Sequence, residues 1–200
     1  NPNIKAAIDI ALQDLRGKIE QKACYKYFNI DPAKMPPTSY TLGIDTPEVL
    51  LQKIKEGENC HIIKVKLGRD NDKELINTIR SATDKPLYVD ANQGWKDRQQ
   101  GLDMVLWLHE QGVVLIEQPM AKDDPDSNAW ITERSPVAIV GDESVQRFAD
   151  VEKAKGVYHG INMKLMKSAG MHEGYRMIMK AKELGLKTMI GCMSETSCAT

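Results

Sequence analysis

Seven short apolar runs, separated by six longer, more polar ones, fill the chain from Ser39 almost to the end of its 200 residues. The strand-like runs are "SYTLGI", "IIKVKL", "PLYVDAN", "VVLIEQP", "VAIVGDE", "GINMKLM" and "KTMIGCM". Between them lie "TPEVLLQKIKEG", "DKELINTIRSAT", "KDRQQGLDMVLWLHEQG", a polar stretch around "DSNAWITERS", "RFADVEKAKG" and "MHEGYRMIMKAKELG". Strand and helix in strict alternation predict an α/β fold with a parallel sheet and helices outside it. Seven consecutive units favour a TIM-type (β/α) barrel over an open doubly wound sheet. The open sheet would want a glycine-rich first turn, and neither Gly-x-Gly-x-x-Gly nor a Walker-type loop occurs. A barrel of this class closes with eight strands and roughly 250 residues. The chain opens at Asn1 without methionine and stops at "SETSCAT", soon after the seventh run, so a part of a longer enzyme is expected. Residues 1–37, with the helical "IKAAIDIALQDLRGKI", read as a helix and linker leading into a barrel domain over 38–200.

Composition narrows the partner. A net charge of -1 with scattered Lys and Arg leaves no basic footprint for nucleic acid or an anionic membrane. No apolar run reaches the ~18 residues of a membrane span. Cys24, Cys60, Cys192 and Cys198 form no Cys-x-x-Cys pair, so neither a zinc site nor a disulfide framework is predicted. The reading is a cytoplasmic protein with reduced thiols and a small-molecule partner; a homo-oligomer is compatible with it.

Charged residues recur inside the apolar runs: Lys66, Asp90, Glu117, Asp142 and Lys164, at separations of 24, 27, 25 and 22 residues. Each step is one strand–helix unit, which predicts one height near the C-terminal ends of successive strands, where barrel enzymes carry their chemistry. A lone carboxylate there often only caps the next helix. Five in register do not reduce to that. Asp90, Glu117 and Asp142, from three neighbouring strands, would repel one another unless a cation sat between them, and an oxygen-only set suits Mg²⁺. No His or Cys stands in register to favour zinc. Lys66 and Lys164 fall on the second and sixth strands, opposite in a ring of eight, as a two-base proton transfer requires. Lys64, two residues before Lys66 on the same strand face, would stabilise negative charge. Two snorkelling lysines on an exposed edge would be the bland alternative, but a closed barrel has no edge.

"KVK", "VDANQGW", "IEQP", "GDES" and "NMKLMKSAG", in that order and spacing, resemble the enolase superfamily, in particular its muconate-lactonizing subgroup. The resemblance covers essentially the whole chain, with "AAIDIALQDLRGK" similar to the helix that follows the family's capping domain. It implies that Lys66 and Lys164 are the acid/base pair and that Asp90, Glu117 and Asp142 bind Mg²⁺. The implied first step is abstraction of the proton alpha to a carboxylate, giving an enediolate. "TSYTLGIDTPE" and "MIGCMSET" are most similar to the dipeptide epimerases of the L-Ala-D/L-Glu type, which act on peptidoglycan peptides. By that resemblance Thr41, Lys64 and Cys192 contact the dipeptide, while the family's Asp-x-Asp on the eighth strand would follow Thr200. The competing readings are an o-succinylbenzoate synthase, a muconate cycloisomerase-like lyase, or a barrel kept only as a binding module.

Overall fold

The computed structural model describes residues 1–193 and 195; Ser194, Thr196 and Cys198 of the quoted motifs lie outside the described residues. All seven expected strands form: β1 (Ser39–Leu42), β2 (Ile62–Lys66), β3 (Leu87–Asp90), β4 (Val113–Glu117), β5 (Ala138–Gly141), β6 (Gly160–Lys164) and β7 (Lys187–Gly191). The helices are α1 (Pro2–Ile19), α2 (Pro47–Glu56), α3 (Asp72–Arg80), α4 (Arg98–Glu110), α5 (Pro125–Arg134), α6 (Phe148–Val151) and α7 (Met171–Glu183). Each strand stops one or two residues before its apolar run does, so the charged residues stand at or just past strand ends. The run "RFADVEKAKG" gives only the single turn of α6, because the chain leaves the helix for a bridge between Lys155 and Tyr158 around Gly156, at φ 80°. No helix among the described residues is long and apolar enough to cross a membrane.

Helix starts follow local chemistry. Pro47 opens α2 and Pro125 opens α5, each at a position whose N–H would lack a helical partner anyway. The Asp97 carboxylate accepts from the N–H groups of Gln99 and Gln100 at the start of α4. The start of α7 borrows its cap from far away in sequence: Asp9 Oδ2 on α1 accepts from Met171 N at 2.6 Å.

The chain divides into two compact units, one of residues 37–144 and 154–160, the other of 1–36, 145–153 and 161 onward. In the first, β1 to β5 form a parallel sheet in sequence order. Alternation along the strands separates two faces. Ile63, Val65, Leu87, Val89, Ile116 and Ile139 are fully buried, and Leu50, Leu75, Ile76, Ile79, Val105, Leu108 and Ile131 of the helices complete that core. At the N-terminal ends of the strands two cations close loops. Lys85 donates to the carbonyls of Gly57, Glu58 and Cys60, and Arg80 to those of Gln111, Thr83 and Lys85. Stability is thus anchored at one end of the sheet, leaving the other for chemistry.

The second unit contains α1, α6, β6, α7 and β7. Arg147 pairs with Glu173 through both Nε (2.7 Å) and Nη2 (2.8 Å), joining α6 to α7. On α1 only Ala6 is buried, while Ile4, Ile8, Leu12, Leu15 and Ile19, at helical spacing along one face, are each more than half exposed.

Candidate active site

Two rows of side chains cross the second face of the β1–β5 sheet. Strand register sets Thr41, Lys64, Tyr88, Leu115 and Ala138 side by side, and in the next row Lys66, Asp90, Glu117 and Val140. The expected common height therefore holds for Lys66, Asp90 and Glu117. Asp142 lies two residues beyond Val140, past the end of β5, so it stands above that row rather than in it.

The row depends on one irregularity. Leu87 pairs with Val113 but Tyr88 pairs with Leu115, so Val114 is an extra residue in β4. Without that bulge Asp90 would face Ile116, and Glu117 would stand one step out of register. Val114 is 49% exposed, where the extra residue has been turned out.

Around these rows the loops meet backbone to backbone. A Cβ on Gly68 would fall 2.4 Å from the carbonyl oxygen of Ala91, and one on Gly94 would fall 2.2 Å from the Cα of Gly68, so neither loop could hold a side chain there. Asp72, buried, accepts from Gly68 N and Arg69 N and from the Trp95 indole, tying the loop after Lys66 to the one after Asp90. This accounts for the Gly and Trp of "VDANQGW".

Asp90 and Glu117 are 1% and 0% exposed, and Asp142 is 3% exposed. Lys64 Nζ lies 2.8 Å from both Asp90 Oδ2 and Glu117 Oε2 and 4.7 Å from the centre of the Tyr88 ring. Tyr88 donates its hydroxyl to the same Glu117 oxygen. Burial alone would lower the Lys64 amine, but Glu117 and Asp90 outweigh it and hold Lys64 above the ordinary lysine range. Burial, with Asp90 and Asp142 adding to it, pushes Glu117 above the usual glutamate range against the pull of Lys64. Burial and then Glu117 drive the Tyr88 hydroxyl far upward. Next to Asp142, Glu143 is raised by burial and by Asp142 itself. Negative charge is thus in excess here, and Glu117 and Glu143 resist ionisation.

Among the described residues no three Asp, Glu, His or Cys side chains are arranged to hold a metal ion as they stand. The ammonium of Lys64 lies between two of the expected ligands, and the third stands two residues further on. The donor chemistry fits a hard divalent cation nonetheless: three buried carboxylates, oxygen only, with Lys64 bonded to two of them.

Lys66 ends β2 with its side chain exposed, in contrast to the half-buried Lys64. Thr41 is exposed at the edge of the first row. Lys164 and Cys192 belong to the second unit. Lys164 ends β6 half-buried, and a Cβ on Gly191 at the end of β7 would lie 3.1 Å from its Cε; Cys192, the next residue, is exposed and a free thiol. Sequence reasoning missed Tyr88, Gln118 and Tyr158. For Tyr88 a signal existed, since it stands two residues before Asp90 and shares its face.

Residues 48–200 match the family described as enolase C-terminal domain-like. An L-Ala-D/L-Glu epimerase of Bacteroides thetaiotaomicron is 56% identical over 196 residues, which are 98% of this chain and 51% of that protein. A hydrophobic dipeptide epimerase of Enterococcus faecalis is 35% identical over 202 residues, 97% of this chain and 56% of its own length. The chain therefore spans about half the length of the curated relatives it matches. The crystal structure of an Enterococcus faecalis dipeptide epimerase complexed with Mg and L-Leu-L-Tyr superposes with a TM-score of 0.90 at 33% identity, covering 99% of this chain and 58% of that one.

Proposed function

Because the chain belongs to the enolase C-terminal domain-like family, whose barrel class its seven strand–helix units share, we propose that it is the barrel part of a dipeptide epimerase. The substrate is a dipeptide of the L-Ala-D/L-Glu kind, inverted at the alpha carbon of its second residue by removal of one proton and return of another. The observation that carries this reading is the row Lys66, Asp90, Glu117, with buried carboxylates in negative excess beside an exposed lysine at the same strand level. The names of the relatives supply the substrate class.

Asp90, Glu117 and Asp142 would hold Mg²⁺, which, when bound, supplies a Lewis acid that stabilises negative charge developing on the substrate carboxylate. Lys66 and Lys164 each serve one face of the alpha carbon once it is planar, one removing the proton and the other delivering a solvent-derived one. Inversion needs both amines; their roles exchange with the direction of reaction. Lys64, already paired with two carboxylates, supports negative charge rather than moving protons. Thr41 and Cys192 are proposed to contact the dipeptide. A cytoplasmic enzyme of peptidoglycan peptide metabolism, with a homo-oligomer compatible, completes the reading.

Incubating the intact protein with a dipeptide library in D₂O and following mass tests it. Deuterium should enter the second residue of the accepted dipeptides. A library with no labelled member would move the assignment to the lyase or cycloisomerase activities of the same superfamily.

A further inference from the structure

Gln118 follows Glu117 directly, has no exposed surface, and holds its backbone at φ 39°, a left-handed conformation that side-chain-bearing residues seldom adopt. Its N–H donates to Val140 O on β5 at 2.8 Å. Its carboxamide then turns toward the segment beyond that strand. Oε1 accepts from Asp142 N at 3.0 Å and from Ser144 N at 3.2 Å; Nε2 donates to Met120 O at 3.1 Å and to the Tyr158 hydroxyl at 2.9 Å. Both donors and both acceptor sites of the amide are used. Tyr158 closes the circuit: its hydroxyl is 2.8 Å from Ser144 Oγ, and its ring lies against Gly141, where any Cβ would meet the ring carbons at 2.8 Å. Gln118, Ser144 and Tyr158 thus form a ring of hydrogen bonds, part-buried at Ser144, around the chain that carries Asp142.

Register leaves Asp142 two residues beyond the row of Asp90 and Glu117, past the end of β5, where its N–H is bonded to the Gln118 carboxamide. We infer that Gln118 is the positioning residue of the site: through its carboxamide, braced by Tyr158, it sets Asp142 against Glu117 so that the two carboxylates can serve one divalent cation. This rests on the reading of Asp142 as a metal ligand. The polar atoms of the Gln118 carboxamide are all taken by groups of this chain. A backbone already bent at φ 39° to present the carboxamide, with every polar atom of that group bonded, is a rigid link between the ends of two strands. Loss of such outer partners typically weakens metal binding by about 10- to 100-fold.

The test is titration of the intact protein with Mg²⁺ alone by calorimetry, with thermal unfolding followed in parallel. Asp142→Asn should weaken binding most. Gln118→Leu, which keeps the bulk and removes all four hydrogen bonds, should weaken it by about 10- to 100-fold. Tyr158→Phe, lacking only the hydroxyl, should weaken it less than Gln118→Leu with little change in unfolding temperature. A purely structural role would lower the unfolding temperature and leave Mg²⁺ affinity alone. If Gln118→Leu does not fold, Tyr158→Phe decides by itself. Wild-type affinity in both variants, with Asp142→Asn weakened, overturns the positioning role and leaves the metal site standing. Wild-type affinity in Asp142→Asn overturns both.

Discussion

At the ends of β3 and β4 charged side chains are buried, whereas along α1 large apolar side chains are exposed. Asp90 and Glu117 are at most 1% accessible, while Ile4, Ile8, Leu12, Leu15 and Ile19 are between 52% and 73% accessible. Both regions invert the ordinary partition, and such inversions are more informative than the rule they break. They differ in how the inversion is sustained. Beside the carboxylates stand donors that answer them: Lys64, the Tyr88 hydroxyl and the N–H of Asn92 donate to Asp90 or Glu117. A buried charge left without such donors would cost several kcal/mol. On α1 exposure costs little in place and makes a surface prone to association. The first inversion points to chemistry and the second to contact.

The largest effect should come from removing one buried charge. Glu117→Gln in the intact protein is expected to reduce turnover by about 10³-fold or more, since a preorganised electrostatic group alone is worth about 10²–10³. Circular dichroism should show the fold retained. Wild-type turnover in a metal-loaded Glu117→Gln enzyme would reduce the carboxylate row to a structural feature. Next come the lysines. Lys66→Ala and Lys164→Ala should each cut epimerisation by roughly 10²- to 10⁴-fold. Each should still exchange the alpha proton of the one epimer whose proton faces the surviving amine, visible as deuterium uptake without inversion. Near wild-type epimerisation by Lys164→Ala would replace the two-base scheme with a one-base one.

The contrast with α1 is sharpened by truncating matched side chains. Ile116→Ala, in the buried core behind Glu117, should destabilise by about 2–5 kcal/mol, whereas Leu12→Ala, 58% exposed, should stay within about 0.5 kcal/mol. Urea unfolding of the 200-residue chain measures both. The same chain should bind a hydrophobic dye, and Ile8→Lys with Leu15→Lys should suppress that binding. A Leu12→Ala loss as large as that of Ile116→Ala would mean that α1 is packed in solution after all.

Much of the sheet could be read in advance, because alternating runs of fixed spacing encode strand order directly, and Lys66, Asp90 and Glu117 took their places from counting alone. What could not be counted was the pairing. "VVLI" reads alike in either phase, so the bulge at Val114 that brings Glu117 beside Asp90 left no trace in the pattern. Nor did spacing reveal that Asp142 stands two residues above the row, since 25 residues measure a strand–helix unit and not its register. Gln118 was invisible for a related reason: its partners, Ser144 and Tyr158, lie 26 and 40 residues away. The opening run "IKAAIDIALQDLRGKI" reads as helical, but whether the apolar face of that helix is covered is a tertiary fact that no local pattern carries.

The smallest expected effect tests the buried side of the comparison through pH. Burial first, and then Asp90, raise Glu117 above its ordinary value of 4.5, so in the absence of metal the folded protein keeps this proton to a higher pH than the unfolded chain does. The stabilisation from that proton is complete below 4.5 and is lost as pH rises through the elevated folded value. Lys64, raised despite its burial by Glu117 and Asp90, acts elsewhere: its contribution is complete below 10.5 and lost above it, outside this window. Unfolding temperature in EDTA should therefore fall from pH 4.5 upward, by no more than a single group allows, about 1.4 kcal/mol per pH unit. Glu117→Gln, with nothing to titrate at that position, should flatten the curve. Added Mg²⁺ should reverse the slope for the wild type, because a cation binds the ionised carboxylates and stabilises the folded state that holds it. Superimposable curves for wild type and Glu117→Gln in EDTA would mean that the buried carboxylate carries no excess charge, and the distinction between the two regions would rest on α1 alone.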